Sequence, residues 1–137
     1  MNELIFLPML AHIALVVFLY VRLGQVKDAA FKRDDVDHAR RNLHEDAWPD
    51  DVLQVNNNLA NQFALPTIFY ALTFLFWALG WVNWVTLGLS IIFVLSRVWH
   101  TYIHLGSNHV PSRRKAFTIG VVAIILMLLT ATYAILT

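Results

Sequence analysis

The sequence predicts an all-α membrane protein, a transmembrane four-helix bundle built as a single domain over residues 1–137. Three observations carry that prediction. Four apolar stretches recur along the chain, each about 20 residues long, the length a helix needs to cross a ~30 Å hydrocarbon core. The composition is 58% hydrophobic and only 14% charged, which leaves too little polar surface to keep a globule wet. The ten Lys and Arg residues cluster where two alternate loops of a four-span chain would meet one side of a bilayer.

The first span covers about residues 4–23 and is interrupted only by Pro8 and His12. No basic segment precedes it and no small-residue cleavage site follows it, so it is expected to be a permanent span and not a signal peptide. The next segment, about 24–56, is the main polar loop, with Lys27, Asp28, Lys32, Arg33, Asp34, Asp35, Asp37, Arg40, Arg41, Glu45 and Asp46 intermixed. A surface helix is expected to about His44. Trp48-Pro49-Asp50-Asp51 then reads as a turn in which Asp50 or Asp51 caps a helix running straight into the second span. The apolar part of that span is 62–81, and with its polar entry it covers about 57–81.

The third span covers about 82–104 and the fourth about 114–136, with its apolar part from 116. Trp77, Trp81 and Trp84 bracket a very short second loop, as in an interfacial aromatic belt. Backbone groups in lipid must be satisfied within each segment, which favours helices. The alternating segments of a β-barrel are absent. Arg22, Lys27, Lys32, Arg33, Arg40 and Arg41 lie in or beside the first loop, and Arg113, Arg114 and Lys115 lie in the third. Arg97 sits toward the same end of the third span. The positive-inside rule then places both loops in the cytoplasm and both termini outside, periplasmic for a bacterial inner-membrane protein.

Composition also excludes chemistry. With no cysteine the chain has no disulfide, thiolate metal ligand or cysteine nucleophile, so any thiol must come from a ligand. A net charge of +1 gives no reason to expect a nucleic-acid partner.

Polar residues within spans are costly and mark either function or helix packing. Two clusters qualify. In Asn56-Asn57-Asn58-Leu59-Ala60-Asn61-Gln62, followed by Pro66, residues Asn58, Gln62 and Pro66 share one helical face, with Asn57 and Asn61 beside it. Their amides suit either a polar ligand or hydrogen bonds between helices. In the second cluster Arg97, His100 and His104 share a face. A buried arginine there requires a loop carboxylate or an anionic ligand or headgroup; otherwise it snorkels to the interface. His100 and His104 alone are too few for a catalytic zinc, so no metal site is expected. His12 reads as a hydrogen-bonding group across the bundle. Arg113, Arg114 and Lys115 suit lipid phosphate, topology or a ligand thiolate.

The charged first loop, the Asn-rich entry to the second span with its following Pro, and Arg97-x-x-His100-Thr101-x-x-x-Leu105-Gly106-x-x-x-x-Pro111-x-Arg113 together resemble the MAPEG family, the membrane-associated proteins of eicosanoid and glutathione metabolism. The third-span motif is similar to that of its prostaglandin E synthase branch, and the chain looks like a small bacterial member. The resemblance covers the whole chain in topology and about residues 57–117 in motifs. It implies a homotrimer that binds glutathione between subunits near the cytoplasmic face and activates its thiol.

By the same resemblance, Asn58 and Pro66 match the family's second-helix asparagine and proline. Gln62 or Asn61 falls where many members have glutamate. Arg97 and His100 match residues near the glutathione pocket, and His104 stands where a tyrosine contacts glutathione. Arg113, with Arg114 beside it, matches the arginine credited with stabilising the thiolate. This chain departs from the family pattern in four places. No arginine precedes Asn58, an amide replaces the glutamate, Arg114 replaces a serine, and Phe117 replaces a tyrosine.

Two functions follow as expectations. One is a glutathione-dependent transferase or peroxidase acting on small lipophilic electrophiles drawn from the bilayer, with Arg113 as the catalytic residue. The other is a non-catalytic membrane protein that binds a lipid or another anionic ligand between subunits.

Overall fold

The computed structural model describes all 137 residues. A short 3-10 turn, Asn2–Ile5, leads into α1, Phe6–Lys32. A polar connection with a second 3-10 turn at Glu45–Ala47 leads to α2, Asp50–Asn61, and α3, Leu65–Ala78. Helices α4, Trp84–Leu105, and α5, Val110–Leu136, complete the chain. Four helical units are long and apolar enough to cross a membrane, with α2 and α3 counting as one.

Two expectations about the first loop need correction. No separate surface helix forms. Instead α1 continues past Gly24 to Lys32, because Val26 and Ala30 keep its apolar face in register and pack against Val36, Val52 and Val55. Asp34, at φ 55°, then turns the chain back. Asp50 and Asp51 are the first helical residues of α2, with Pro49 at the cap position and no side-chain cap. Their charges complement the positive end of the helix, and Asp51 pairs with Arg33 at 3.1 Å.

The helix does not run straight into the second span either. It stops at Asn61 and restarts at Leu65. Pro66 lacks an N–H, and its ring crowds the carbonyl four residues back. The amide-rich run repairs the break. Asn61 Nδ2 donates to the Asn57 carbonyl at 3.0 Å, Gln62 Nε2 to the Asn58 carbonyl at 3.4 Å, and Thr67 Oγ1 to the Phe63 carbonyl at 2.7 Å.

The α3–α4 turn is tight. Gly80 takes φ 63°, a left-handed conformation that glycine adopts without penalty, and Asn83 and Thr86 form a reciprocal capping box that starts α4. The apolar core lies among α3, α4 and α5, where Phe69 stacks on Phe93 with ring centroids 4.5 Å apart. Helices α4 and α5 pack most extensively. Gly120 permits their approach, since a Cβ there would sit 2.8 Å from Ser96 Oγ.

Candidate functional site

The C-terminal turns of α4 present Arg97, His100, Thr101 and His104 inward, and all four are buried. Arg97 is 0% exposed, so it does not snorkel. No ion pair of the chain includes it, so no loop acid folds in to meet it. Its Nη2 meets His100 Nδ1 at 3.3 Å, and its guanidinium lies 5.6 Å from the Phe117 ring centroid. A guanidinium only donates, so His100 Nδ1 accepts and its proton sits on Nε2. Nε and Nη1 of Arg97 have no partner within the chain, and neither does His104 Nδ1. Buried charge without a counter-charge is expensive, and within the chain no carboxylate offsets that cost at Arg97.

A sharp turn, Gly106 to His109, brings α5 beside these residues. Asn108 takes φ 52°, and its N–H donates to the Ile103 carbonyl at 2.8 Å. Its side-chain oxygen accepts from Arg113 Nη1 at 2.6 Å, which anchors the guanidinium at the start of α5. The positive end of a long helix adds to the local attraction for anions. Gln54 on α2 donates to the terminal carbonyls of His104 and Gly106 and so ties α2 to this corner.

Arg113 lines two clefts. One, about 220 Å³, is also lined by Asn61, His100, Val110, Arg114 and Phe117. The other, about 460 Å³, adds Asp50, Gln54, Asn57, His104 and Asn108. Residues expected from the sequence at a ligand site therefore fall into three groups. Asn61, His100, His104, Arg113 and Arg114 line the clefts, Arg97 lies buried behind His100, and Asn58 and Gln62 point into the bundle.

The inward pair belongs to a buried polar network. His12 Nε2 meets Gln62 Oε1 at 3.0 Å, and His12 Nδ1 meets the Tyr70 hydroxyl at 2.6 Å. Gln62 Nε2 donates to Asn58 Oδ1 at 3.1 Å and Thr101 Oγ1 at 3.3 Å, and Thr101 Oγ1 donates to Asn58 Oδ1. Because Gln62 Oε1 can only accept, His12 carries its proton on Nε2 and accepts from Tyr70 at Nδ1. The network joins α1, α3 and α4 across the α2–α3 break, while Asn61 at the cleft is held by its own bond to the Asn57 carbonyl.

Sequence reasoning missed Asp50 and Asn108 as site residues and Tyr70 and Thr101 as network members. Tyr70 had a readable signal, since it continues the Gln62–Pro66 face by another four residues. Thr101 adjoins the Arg97 face in the same way. Asp50 had none, because its approach to Arg113 depends on how α2 docks. It is the one carboxylate lining either cleft.

No curated protein matches the chain, and neither does any solved structure. A sequence model of the MAPEG family matches residues 5–133. That match spans nearly the whole chain and includes every residue of the corner just described, and four membrane-crossing helices are what such a family member requires; the chain is an integral membrane protein belonging to the MAPEG family.

Proposed function

We propose that the protein is a glutathione-dependent transferase acting on small lipophilic electrophiles at the corner between α2, α4 and α5. The observation that carries this reading is the anchored Arg113 at the junction of two clefts, next to a buried Arg97 with unpartnered N–H groups. Glutathione has two carboxylates, an ammonium group and a thiol. Arg113 and Arg114 offer cations for the first, with Arg97 behind His100 adding to the positive field, and Asp50 offers a carboxylate for the second. His100, His104 and Asn61 supply neutral donors and acceptors between them.

When bound, glutathione supplies the nucleophilic thiol that the cysteine-free chain lacks. Arg113 favours the thiolate over the thiol, lowering the pKa at that sulfur. With a chloronitroaromatic probe, the S–C bond forms, chloride leaves, and the thiol proton passes to water. Asn58 and Gln62 act through position, by holding the helix break that carries Asn61. The reading includes a homotrimer with the corner between subunits, and an inner-membrane orientation with both termini periplasmic. The basic loops support that orientation.

The test is conjugation of glutathione to that probe by purified protein, with binding followed by calorimetry. Wild type is expected to bind and turn over, and a wild type without glutathione binding refutes the proposal. A second reading, a non-catalytic binder of an anionic lipid, is favoured by Phe117, which puts an apolar ring beside Arg97 where the family tyrosine would offer a hydroxyl. Rapid turnover rules it out.

A further inference from the structure

A third polar cleft lies away from the α2–α4–α5 corner, between the end of α1, the returning loop and the start of α2. It measures about 370 Å³, and its lining includes Lys27, Arg41, His44, Glu45, Trp48 and Asn56. Lys27 and Arg41 differ from Arg33 and Arg40 in how their charge is met. Arg33 is paired with Asp35 and Asp51, and Arg40 with Asp37 and Asp46. Lys27 and Arg41 have no carboxylate partner and no side-chain hydrogen bond.

Aromatic faces hold both instead. Lys27 Nζ lies 4.7 Å from the Trp48 ring centroid, and the Arg41 guanidinium lies 4.8 Å from that of Phe31. Phe31 itself meets Trp48 edge-on at 5.4 Å. Cations steadied over rings keep their N–H donors free while losing mobility. The two charges are therefore pre-organised around a space whose one carboxylate, Glu45, pairs with neither of them and accepts from Asn56 instead.

Position defines the ligand. Lys27 lies four residues beyond the apolar end of the first span, about 6 Å along the helix, which is the depth of the headgroup layer. Leu43, on the rim of the same cleft, is 89% exposed, an apolar tip that water does not favour and a bilayer interface does. We propose that this cleft binds the phosphate of an anionic phospholipid, with Lys27 and Arg41 on the phosphate oxygens and Leu43 dipping among the acyl chains. The same cations would accept a soluble phosphate ester; the exposed Leu43 and the depth of Lys27 argue for the lipid.

The test uses the full chain in nanodiscs of equal parts phosphatidylcholine and phosphatidylglycerol. Lipid retained on ejection is read by native mass spectrometry. Wild type is expected to retain phosphatidylglycerol selectively. Lys27→Gln with Arg41→Gln is expected to lower retention about 30-fold, each cation contributing about fivefold at an anionic surface. The charge-preserving pair Lys27→Arg with Arg41→Lys should keep it, which separates loss of charge from loss of fold. Arg22→Gln, a cation on the same helix but outside the cleft, should leave retention unchanged. Undiminished retention in the Gln pair overturns the site, as does an equal loss in Arg22→Gln. Glycerol phosphate that binds lipid-free protein in detergent and displaces phosphatidylglycerol overturns the lipid assignment.

Discussion

Replacing His12 by Phe removes two hydrogen bonds from the buried network while keeping a ring in the same space. The bond from His12 Nε2 to Gln62 Oε1 is 3.0 Å and the bond between His12 Nδ1 and Tyr70 is 2.6 Å. His12 is 0% exposed and Gln62 is 1% exposed, so water cannot substitute at Gln62. Hydrogen bonds between membrane helices average about 0.6 kcal/mol and reach about 1.7. Two of them give about 1–3 kcal/mol. Gln62 Oε1 has no other partner, and a buried acceptor left alone costs about 1–3 kcal/mol. The orphaned acceptor overlaps with the loss of its own bond, so the two ranges do not add in full, and the variant should lose about 2–4 kcal/mol, at the upper end of the range for point mutations.

The assay is a double-mutant cycle with Gln62→Leu, with unfolding followed by circular dichroism as denaturing detergent is titrated. Once Gln62 is gone, the His12 substitution orphans nothing on that side, so its cost should fall to about 1–2 kcal/mol, a coupling of at least about 1 kcal/mol. Additive losses within about 0.5 kcal/mol would refute the reasoning, because they would mean that His12 and Gln62 do not share a bond that matters to stability.

Arg113→Ala should lower glutathione conjugation at least about 100-fold with an unchanged circular dichroism spectrum, the loss typical of removing one preorganised donor at developing charge; a rise in the apparent thiol pKa in the pH–rate profile would accompany it. Gly120→Ala places a Cβ 2.8 Å from Ser96 Oγ. Overpacking of about 1–3 kcal/mol is there offset by about 1 kcal/mol of helix propensity, for a net loss of up to about 2 kcal/mol in a detergent unfolding titration; adding Ser96→Ala should recover it, and no recovery would refute the close approach. In the exposed loop, the hydrogen bonds from Arg40 hold the Asp46 carboxyl below its ordinary value of 3.8. A depressed carboxyl contributes stability above its unfolded value and loses it as pH falls through the folded one. Arg40→Ala should let the Asp46 titration, followed by NMR, climb back toward 3.8, and an unmoved midpoint would show that the pair is not formed.

Legibility differed between fold and site because each rests on a different range of interaction. The four spans could be read directly, because crossing lipid sets a length and a composition that each segment must satisfy by itself. His12 could be read as a packing group, because an imidazole within a span must find partners inside the bundle. The polar loop was harder. Whether α1 ends at Gly24 or continues to Lys32 depends on Val26 and Ala30 meeting Val52 and Val55, which no local pattern states. The helix break before Pro66 was half visible: the proline announced a kink, but the helix stops because neighbouring amides can satisfy the freed carbonyls.

By itself, the sequence determined an integral membrane bundle and the class of residues at its polar end. Only the tertiary structure decided which of those residues line a cleft. Spacing places Asn58, Gln62, Arg97 and His100 on faces of their own helices, but the neighbour each face meets depends on how the helices dock. Docking turned Asn58 and Gln62 toward His12 and Thr101, and it buried Arg97 without an acid. It also carried Asp50 to the cleft of Arg113, across a distance in sequence that no periodicity spans.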